Sequence, residues 1–188
     1  MSPTELAELI QAGESQEVEF KTSLAKRDDA LKSLCGMVNS EAARGAVVFG
    51  VTPEGTVHGV EPGNLDRAQQ SLVQVITAKF DPALVVTIEV HHVDNSPVLL
   101  LTAGRSRGVA YHEFDGRAFV REGTATRQLT LREKNSLARA RNRDLHPGPW
   151  KCDRCGSWVG QLISVTLTNE GLVKNYDCDC GGQYWPST

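Results

Sequence analysis

The chain has 188 residues and a formal net charge of −3, with 40% hydrophobic and 23% charged residues. This composition excludes a disordered or collagen-like chain, and no apolar run approaches the roughly 20 residues that span a bilayer. The first residues carry acids and no basic segment, so we expect no signal peptide and a cytoplasmic protein with reduced thiols.

Hydrophobic periodicity predicts an alternation of helices and strands along most of the chain. Thr4 is the expected N-cap of the first helix, and Gly13 follows its end. In chain order the predicted elements are a helix at 4–12, a strand at 16–23, a helix at 28–38, strands at 46–51 and 56–60, a helix at 65–79, strands at 84–93, 98–103 and 119–121, and a helix at 130–143.

This order of elements predicts an α+β fold, with a mixed sheet and flanking helices, over residues 1–145. The segment Pro147–Pro149 contains two prolines around a glycine, which breaks any helix. Residues 146–188 differ in composition, so we expect a second, small module there.

Four of the five cysteines lie in this small module, and Cys35 is expected in the core of the first domain. Residues 162–171 between the two cysteine pairs predict a β-hairpin, so the layout is that of a zinc ribbon. Four thiolates satisfy tetrahedral Zn²⁺ and leave no open position, which predicts a structural zinc. Two disulfides or a redox dithiol are the alternatives. The expected ligands are Cys152, Cys155, Cys178 and Cys180.

The small net charge hides a strong asymmetry. Residues 1–100 carry 7 basic and 14 acidic side chains, whereas residues 101–145 carry 10 basic and 5 acidic ones. Nearly all of these basic residues are arginines, whose planar guanidinium matches phosphate, so this segment can bind a polyanion. A solvated helix face with a basic linker is the alternative. The candidate nucleic-acid contacts are Arg105, Arg107, Arg117, Arg121, Arg127 and Arg132.

A group of acids surrounds the first predicted strand. Glu14, Glu17 and Glu19 lie in one segment beside Lys21, and Glu54 lies in the turn after the next strand. Converging carboxylates beside a lysine can hold Mg²⁺ or Mn²⁺ and activate water on a phosphodiester, so a metal-dependent site is one interpretation of this segment. A solvated strand face is the alternative.

Four segments resemble, in the expected order, the motifs of the Schlafen/AlbA-like domain. Residues 14–21, ESQEVEFK, resemble its opening E-S-x-x-V/L-E-F-K, and residues 45–51, GAVVFGV, resemble its glycine-rich strand. Residues 54–60, EGTVHGV, resemble the hairpin that follows, and residues 116–126, GRAFVREGTAT, resemble the closing motif. The resemblance covers about residues 5–135.

The resemblance implies a nucleic-acid-binding domain, with RNA favoured over DNA. Its Schlafen branch includes endoribonucleases that cleave tRNA and rRNA with two glutamates and an aspartate. Carried over by position, the glutamates are Glu14 and Glu19, Glu54 stands in place of the aspartate, and Lys21 is an electrostatic group. The resemblance thus implies these four residues as the candidate catalytic set. Vertebrate Schlafens clasp RNA between two such lobes, so a homodimer would be needed to reproduce that groove.

Three functional hypotheses are compatible with these features. The first is an endoribonuclease that depends on Mg²⁺ or Mn²⁺ and acts on structured RNA such as tRNA. The second is a non-catalytic module that binds DNA or RNA or has a regulatory role. The third is a protein-interaction module, in which the zinc ribbon contacts another protein.

Overall fold

The structure is a computed structural model that describes residues 2–145, 154, 161–168, 171–177 and 183–184. The chain divides into two compact units, Met1–Arg139 and Ala140–Thr188. This division falls within the last predicted helix, a few residues before the boundary expected between residues 145 and 146.

The first part of the chain contains four α-helices and eight strands among its described residues. The helices are α1 (Pro3–Ala12), α2 (Arg27–Asn39), α3 (Leu65–Lys79) and α4 (Leu131–Leu145). The strands are β1 (Val18–Lys21), β2 (Arg44–Phe49), β3 (Phe80–Asp81), β4 (Val86–Val93), β5 (Ser96–Gly104), β6 (Glu113–Phe114), β7 (Arg117–Glu122) and β8 (Ala125–Gln128). None of the described helices is both long and apolar enough to cross a bilayer.

The strands form two four-stranded sheets. The first has the order β1-β2-β5-β4, in which β1 pairs parallel with β2 and the other neighbours are antiparallel. The second has the order β3-β6-β7-β8 and is antiparallel throughout. The expected α+β class with a mixed sheet and flanking helices is therefore confirmed.

Strand alternation gives the first sheet two apolar faces. One face packs against α2 and α3 in the larger core, whose members include Leu34, Val47, Leu72, Ile76, Leu99 and Leu101. The other face lies under α1 in a smaller core of Leu6, Ile10, Phe20, Ala46, Val48, Val51, Val98 and Leu100.

Helix α2 lies against both sheets. A Cβ added to Gly36 would come within 3.1 Å of backbone atoms of Val120 and Arg121, so glycine allows the helix to approach β7 closely. Next to it, Cys35 is fully buried and its Sγ donates to the His112 carbonyl at 3.3 Å. Burial raises the pKa of this thiol to about 12. The prediction that Cys35 is a core thiol is confirmed.

Two details differ from the predicted elements. Ser2, rather than Thr4, caps α1, because Pro3 occupies the first helical position and Ser2 and Glu5 form a reciprocal capping box. The prediction of a strand at 56–60 is wrong, since the structure has only an isolated bridge between Val51 and Val57 there. Gly50 and Gly59 adopt φ angles of 96° and 77°, which turn the chain at both ends of this hairpin.

The second unit contains a three-stranded antiparallel sheet of β9 (Gln161–Thr168), β10 (Gly171–Asp177) and β11 (Gln183–Tyr184), in the order β11-β10-β9. The β9–β10 pair confirms the predicted hairpin. The four expected zinc ligands, Cys152, Cys155, Cys178 and Cys180, lie outside the described residues, so the zinc ribbon stays a prediction.

Candidate functional site

Glu19 is a buried carboxylate held by two cations. It lies in β1, where its side chain is 10% exposed, and its Oε2 is 2.6 Å from Nη1 of Arg121 in β7. Its other oxygen, Oε1, accepts from Nζ of Lys21. The structure thus brings together Glu19 and Lys21 of the candidate catalytic set, and it adds Arg121 to them.

Arg121 is buried, with only 1% of its side chain exposed. Besides Glu19, its guanidinium donates to the Ser15 carbonyl at 3.0 Å, to the Val18 carbonyl at 3.3 Å and to Thr126 Oγ1 at 3.5 Å. These donors hold the segment around β1 against β7. Because they face inward, Arg121 is absent from the exposed surface and does not offer its charge to a ligand there.

The other two glutamates have local partners. Glu14 is half-buried, and its Oε1 accepts the Phe20 N–H at 2.8 Å, which closes the loop before β1. Glu54 is exposed in its turn, where hydrogen bonds, chiefly from the Thr52 hydroxyl, lower the pKa of its carboxyl.

These donors do not fit a divalent cation as they are placed. No group of three His, Cys, Asp or Glu side chains within the described residues is arranged to hold a metal ion. Both oxygens of Glu19 face cations, and Glu54 bonds within its own turn. We therefore derive no catalytic step through a bound metal.

The candidate arginines separate into neutralised and available ones. Arg127 is neutralised, because Glu122 and Glu133 lie 2.7 and 2.8 Å from its Nη2, and these hydrogen bonds raise its pKa. Arg121 is buried, as described above. The four remaining candidates have no described carboxylate within ion-pair distance, and we call them the available arginines. They are the half-buried Arg105 and the exposed Arg107, Arg117 and Arg132.

The side chain of Asn39, at the end of α2, is a buried polar group that the sequence analysis did not identify. Its Nδ2 donates to the carbonyls of His112 and Phe119 at 2.8 and 2.9 Å, and its Oδ1 accepts the His112 N–H at 2.8 Å. This amide joins α2 to the second sheet. The only signal in the sequence is a polar residue that continues the apolar face of a helix.

The fold has a counterpart among known protein families. The family model described as Schlafen, AlbA_2 matches residues 14–130, which is more than half of the chain. No curated protein matches the chain in sequence.

Several solved structures are similar to part of this chain. The DIP2311 protein from Corynebacterium diphtheriae has 21% identity and a TM-score of 0.47, with 67% of this chain and 24% of that chain covered. The chain thus spans about a quarter of the length of that protein. The N-terminal domain of a RecG-related protein from Nitrosomonas europaea has 16% identity and a TM-score of 0.45, with 70% of this chain and 95% of that chain covered.

The matched residues include both partners of the buried ion pair, Glu19 near their start and Arg121 near their end. The ion pair therefore joins the two ends of the matched region. The chain belongs to the Schlafen AlbA_2 family.

Proposed function

We propose that this protein binds nucleic acid, with RNA preferred over DNA, through its available arginines. Membership of the Schlafen AlbA_2 family suggests nucleic-acid binding. The observation that carries the proposal is that Arg105, Arg107, Arg117 and Arg132 have no described carboxylate partner, whereas Arg121 and Arg127 do. Guanidinium groups without a carboxylate partner are suited to phosphate oxygens.

The net charge of −3 does not oppose this proposal. Phosphate binding depends on the local field rather than on the total charge. Acidic side chains are concentrated in residues 1–100, and several of them are already paired within the protein, such as Glu17 with Arg44 and Asp28 with Lys79.

Salt-dependent binding tests the proposal. Fluorescence anisotropy of a labelled RNA and of the same sequence as DNA would be measured from low to high salt. Replacing all four available arginines with glutamine should weaken binding and flatten the plot of log affinity against log salt. The slope should fall by roughly 0.7–0.9 for each phosphate that the variant no longer neutralises.

The control is Arg67→Gln, which removes an exposed charge on α3. An unchanged slope in the four-arginine variant, or no binding by the wild type at low salt, would overturn the proposal. Stronger binding of DNA would contradict the stated preference for RNA.

A metal-dependent endoribonuclease acting on structured RNA such as tRNA is a second candidate. It is favoured by the placement of Glu14, Glu19 and Lys21 in one segment of the chain. It requires Glu19 to exchange its cation partners for Mg²⁺ or Mn²⁺. Cleavage of tRNA with either ion, lost in Glu19→Gln with an unchanged circular dichroism spectrum, would support it. If tRNA stays intact with both ions, the nuclease hypothesis is wrong and only the proposed binding function remains.

The structural zinc is a proposal that metal analysis can test. The purified chain should contain one zinc per chain, held by Cys152, Cys155, Cys178 and Cys180, and Cys152→Ser should lose it. A wild-type protein free of zinc after purification without chelators would contradict this proposal.

If zinc is present but neither RNA nor DNA binds at low salt, the protein-interaction hypothesis gains support.

A further inference from the structure

An open groove lies at one end of the first sheet, with a volume of about 670 Å³. This volume falls within the roughly 300–1,000 Å³ that small-molecule sites occupy. Two of the lining residues are arginines and none is acidic. The groove is lined by Arg44, Val85, Thr87, Thr102, Ala103, Gly104, Arg105 and Ser106.

The floor of the groove follows from strand register. Thr102 of β5 pairs with Ala46 of β2 on one side and with Thr87 of β4 on the other, so the two threonines lie side by side on the face that α1 covers. Farther along this face, Leu6 and Ile10 of α1 pack into the smaller core. Near the start of β2 the face carries short polar side chains instead, which leaves the sheet open.

Two guanidinium groups border this floor. Arg44 is 73% exposed, and Glu17 offsets its charge because Glu17 Oε2 lies 2.6 Å from its Nε, so Arg44 offers a phosphate the hydrogen-bond donors of its Nη groups. Of the two arginines, only Arg105 has no carboxylate partner among the described residues. The backbone N–H of Arg105 donates to the Ala43 carbonyl at 2.8 Å, and its Nη1 lies 3.5 Å from the Ser40 carbonyl. Both arginines are thus anchored by the protein while they line the groove.

The groove also has an apolar wall. Val85 precedes β4 and is 76% exposed, which makes it one of the few large hydrophobic side chains that the described residues leave in solvent. A cationic rim beside an apolar wall fits a ligand that combines a phosphate with a flat apolar surface.

We propose that this groove binds one nucleotide unit of a single-stranded nucleic acid. Arg44 and Arg105 contact the flanking phosphates, and Val85 contacts the exposed base. This inference rests on the proposed function and adds Arg44 and Val85 to it. A single strand fits better than a duplex, because its bases are unstacked and can lie against a protein side chain.

The test compares a labelled single-stranded uridine dodecamer with a duplex RNA of equal length. The variant Arg44→Gln/Arg105→Gln should bind the single strand at least about tenfold more weakly, and Val85→Ser should weaken it a few-fold. The duplex should lose less affinity. The matched control, Lys26→Gln/Arg67→Gln, removes two exposed charges outside the groove.

The outcomes separate this inference from the proposed function. If the groove variant binds like the control while Arg107→Gln/Arg132→Gln weakens binding, the groove assignment is wrong and the proposed function stands. If the wild type binds neither RNA, both fail. Free uridine monophosphate bound as tightly as the dodecamer would overturn the assignment to a strand.

Discussion

Arg121 of β7 and Glu19 of β1 form a buried ion pair, with 2.6 Å between Nη1 and Oε2 and side chains 1% and 10% exposed. The same guanidinium satisfies the carbonyls of Ser15 and Val18. Arg121, near the end of the residues that match the family model, thus holds the acidic segment near their start. The geometry of Glu14, Glu19 and Lys21 therefore depends on a residue far away in the chain.

Loss of Arg121 should destabilise the fold strongly. Arg121→Met leaves the Glu19 carboxylate with Lys21 alone and removes the donor from two carbonyls, so we expect a decrease of about 3–5 kcal/mol in the free energy of unfolding. Urea unfolding measures this decrease. The control Arg117→Met changes an exposed arginine of the same strand and should stay within roughly 0.5 kcal/mol of wild type.

The double variant Glu19→Gln/Arg121→Met should be less unstable than the sum of the two single variants, because it leaves no buried carboxylate that has lost its arginine. Additive effects, or a loss below about 1 kcal/mol in Arg121→Met, would show that this pair does not hold β1 in place.

The Asn39 amide should also be important for stability. Asn39→Ala removes the partner of the His112 N–H and a donor to the His112 and Phe119 carbonyls. The His112 carbonyl keeps the Cys35 Sγ as a donor, so not every group is left without a partner. Because a buried group that loses its hydrogen bond costs about 1–3 kcal/mol, we expect a loss of roughly 2–3 kcal/mol in urea unfolding.

The control for this amide is Asn64→Ala, at an exposed position where the side-chain Nδ2 donates to Glu61 Oε2 at 2.7 Å. This variant should change the free energy of unfolding by less than about 1 kcal/mol, because water can replace an exposed hydrogen bond. Equal losses at positions 39 and 64 would contradict the bridging role of Asn39.

Gly45 in β2 should tolerate no side chain. A Cβ at this position would lie 2.5 Å from Met37 Cβ and 2.6 Å from its Sδ in α2, so Gly45→Ala must displace the methionine. We expect a loss of about 1–3 kcal/mol in the free energy of unfolding. Gly63→Ala is the control, because its Cβ would meet nothing within 4 Å and the change should be close to neutral. Urea unfolding measures both variants. A similar urea midpoint for Gly45→Ala and Gly63→Ala would refute this packing argument.

Acid should weaken the start of α4. Thr130 and Glu133 form a capping box, and hydrogen bonds, first from Arg127 and then from Thr130, lower the pKa of Glu133 from 4.5 to about 2. Because the pKa is lower in the folded state, the stabilisation is present above about pH 4.5 and is lost as the pH falls toward 2.

The measurement is the urea midpoint of wild type and Glu133→Gln from neutral pH to about pH 2.5. The stability advantage of the wild type should shrink as the pH falls below about 4.5, since the unfolded chain then binds a proton at Glu133 that the folded protein binds only near pH 2. A constant difference across this range would contradict the lowered pKa.

The sequence by itself determined the elements with a long, regular pattern. Helix α3 begins and ends at the predicted residues 65 and 79, and the hairpin of β4 and β5 and the pair β9 and β10 lie where alternation placed them. The strands β3 and β6 have only two residues each, which is too short for periodicity to detect, and the four residues of β8 (ATRQ) show no alternation of large apolar side chains.

Only the tertiary structure decided the roles of the charged residues. In the sequence, Arg121 resembles Arg117, yet one is buried beside Glu19 and the other is exposed. Arg44, which the charge asymmetry did not single out, borders a groove with Arg105. Periodicity reports which face of an element is apolar, whereas the partner of a charge depends on strand pairing across the chain, which local sequence does not encode.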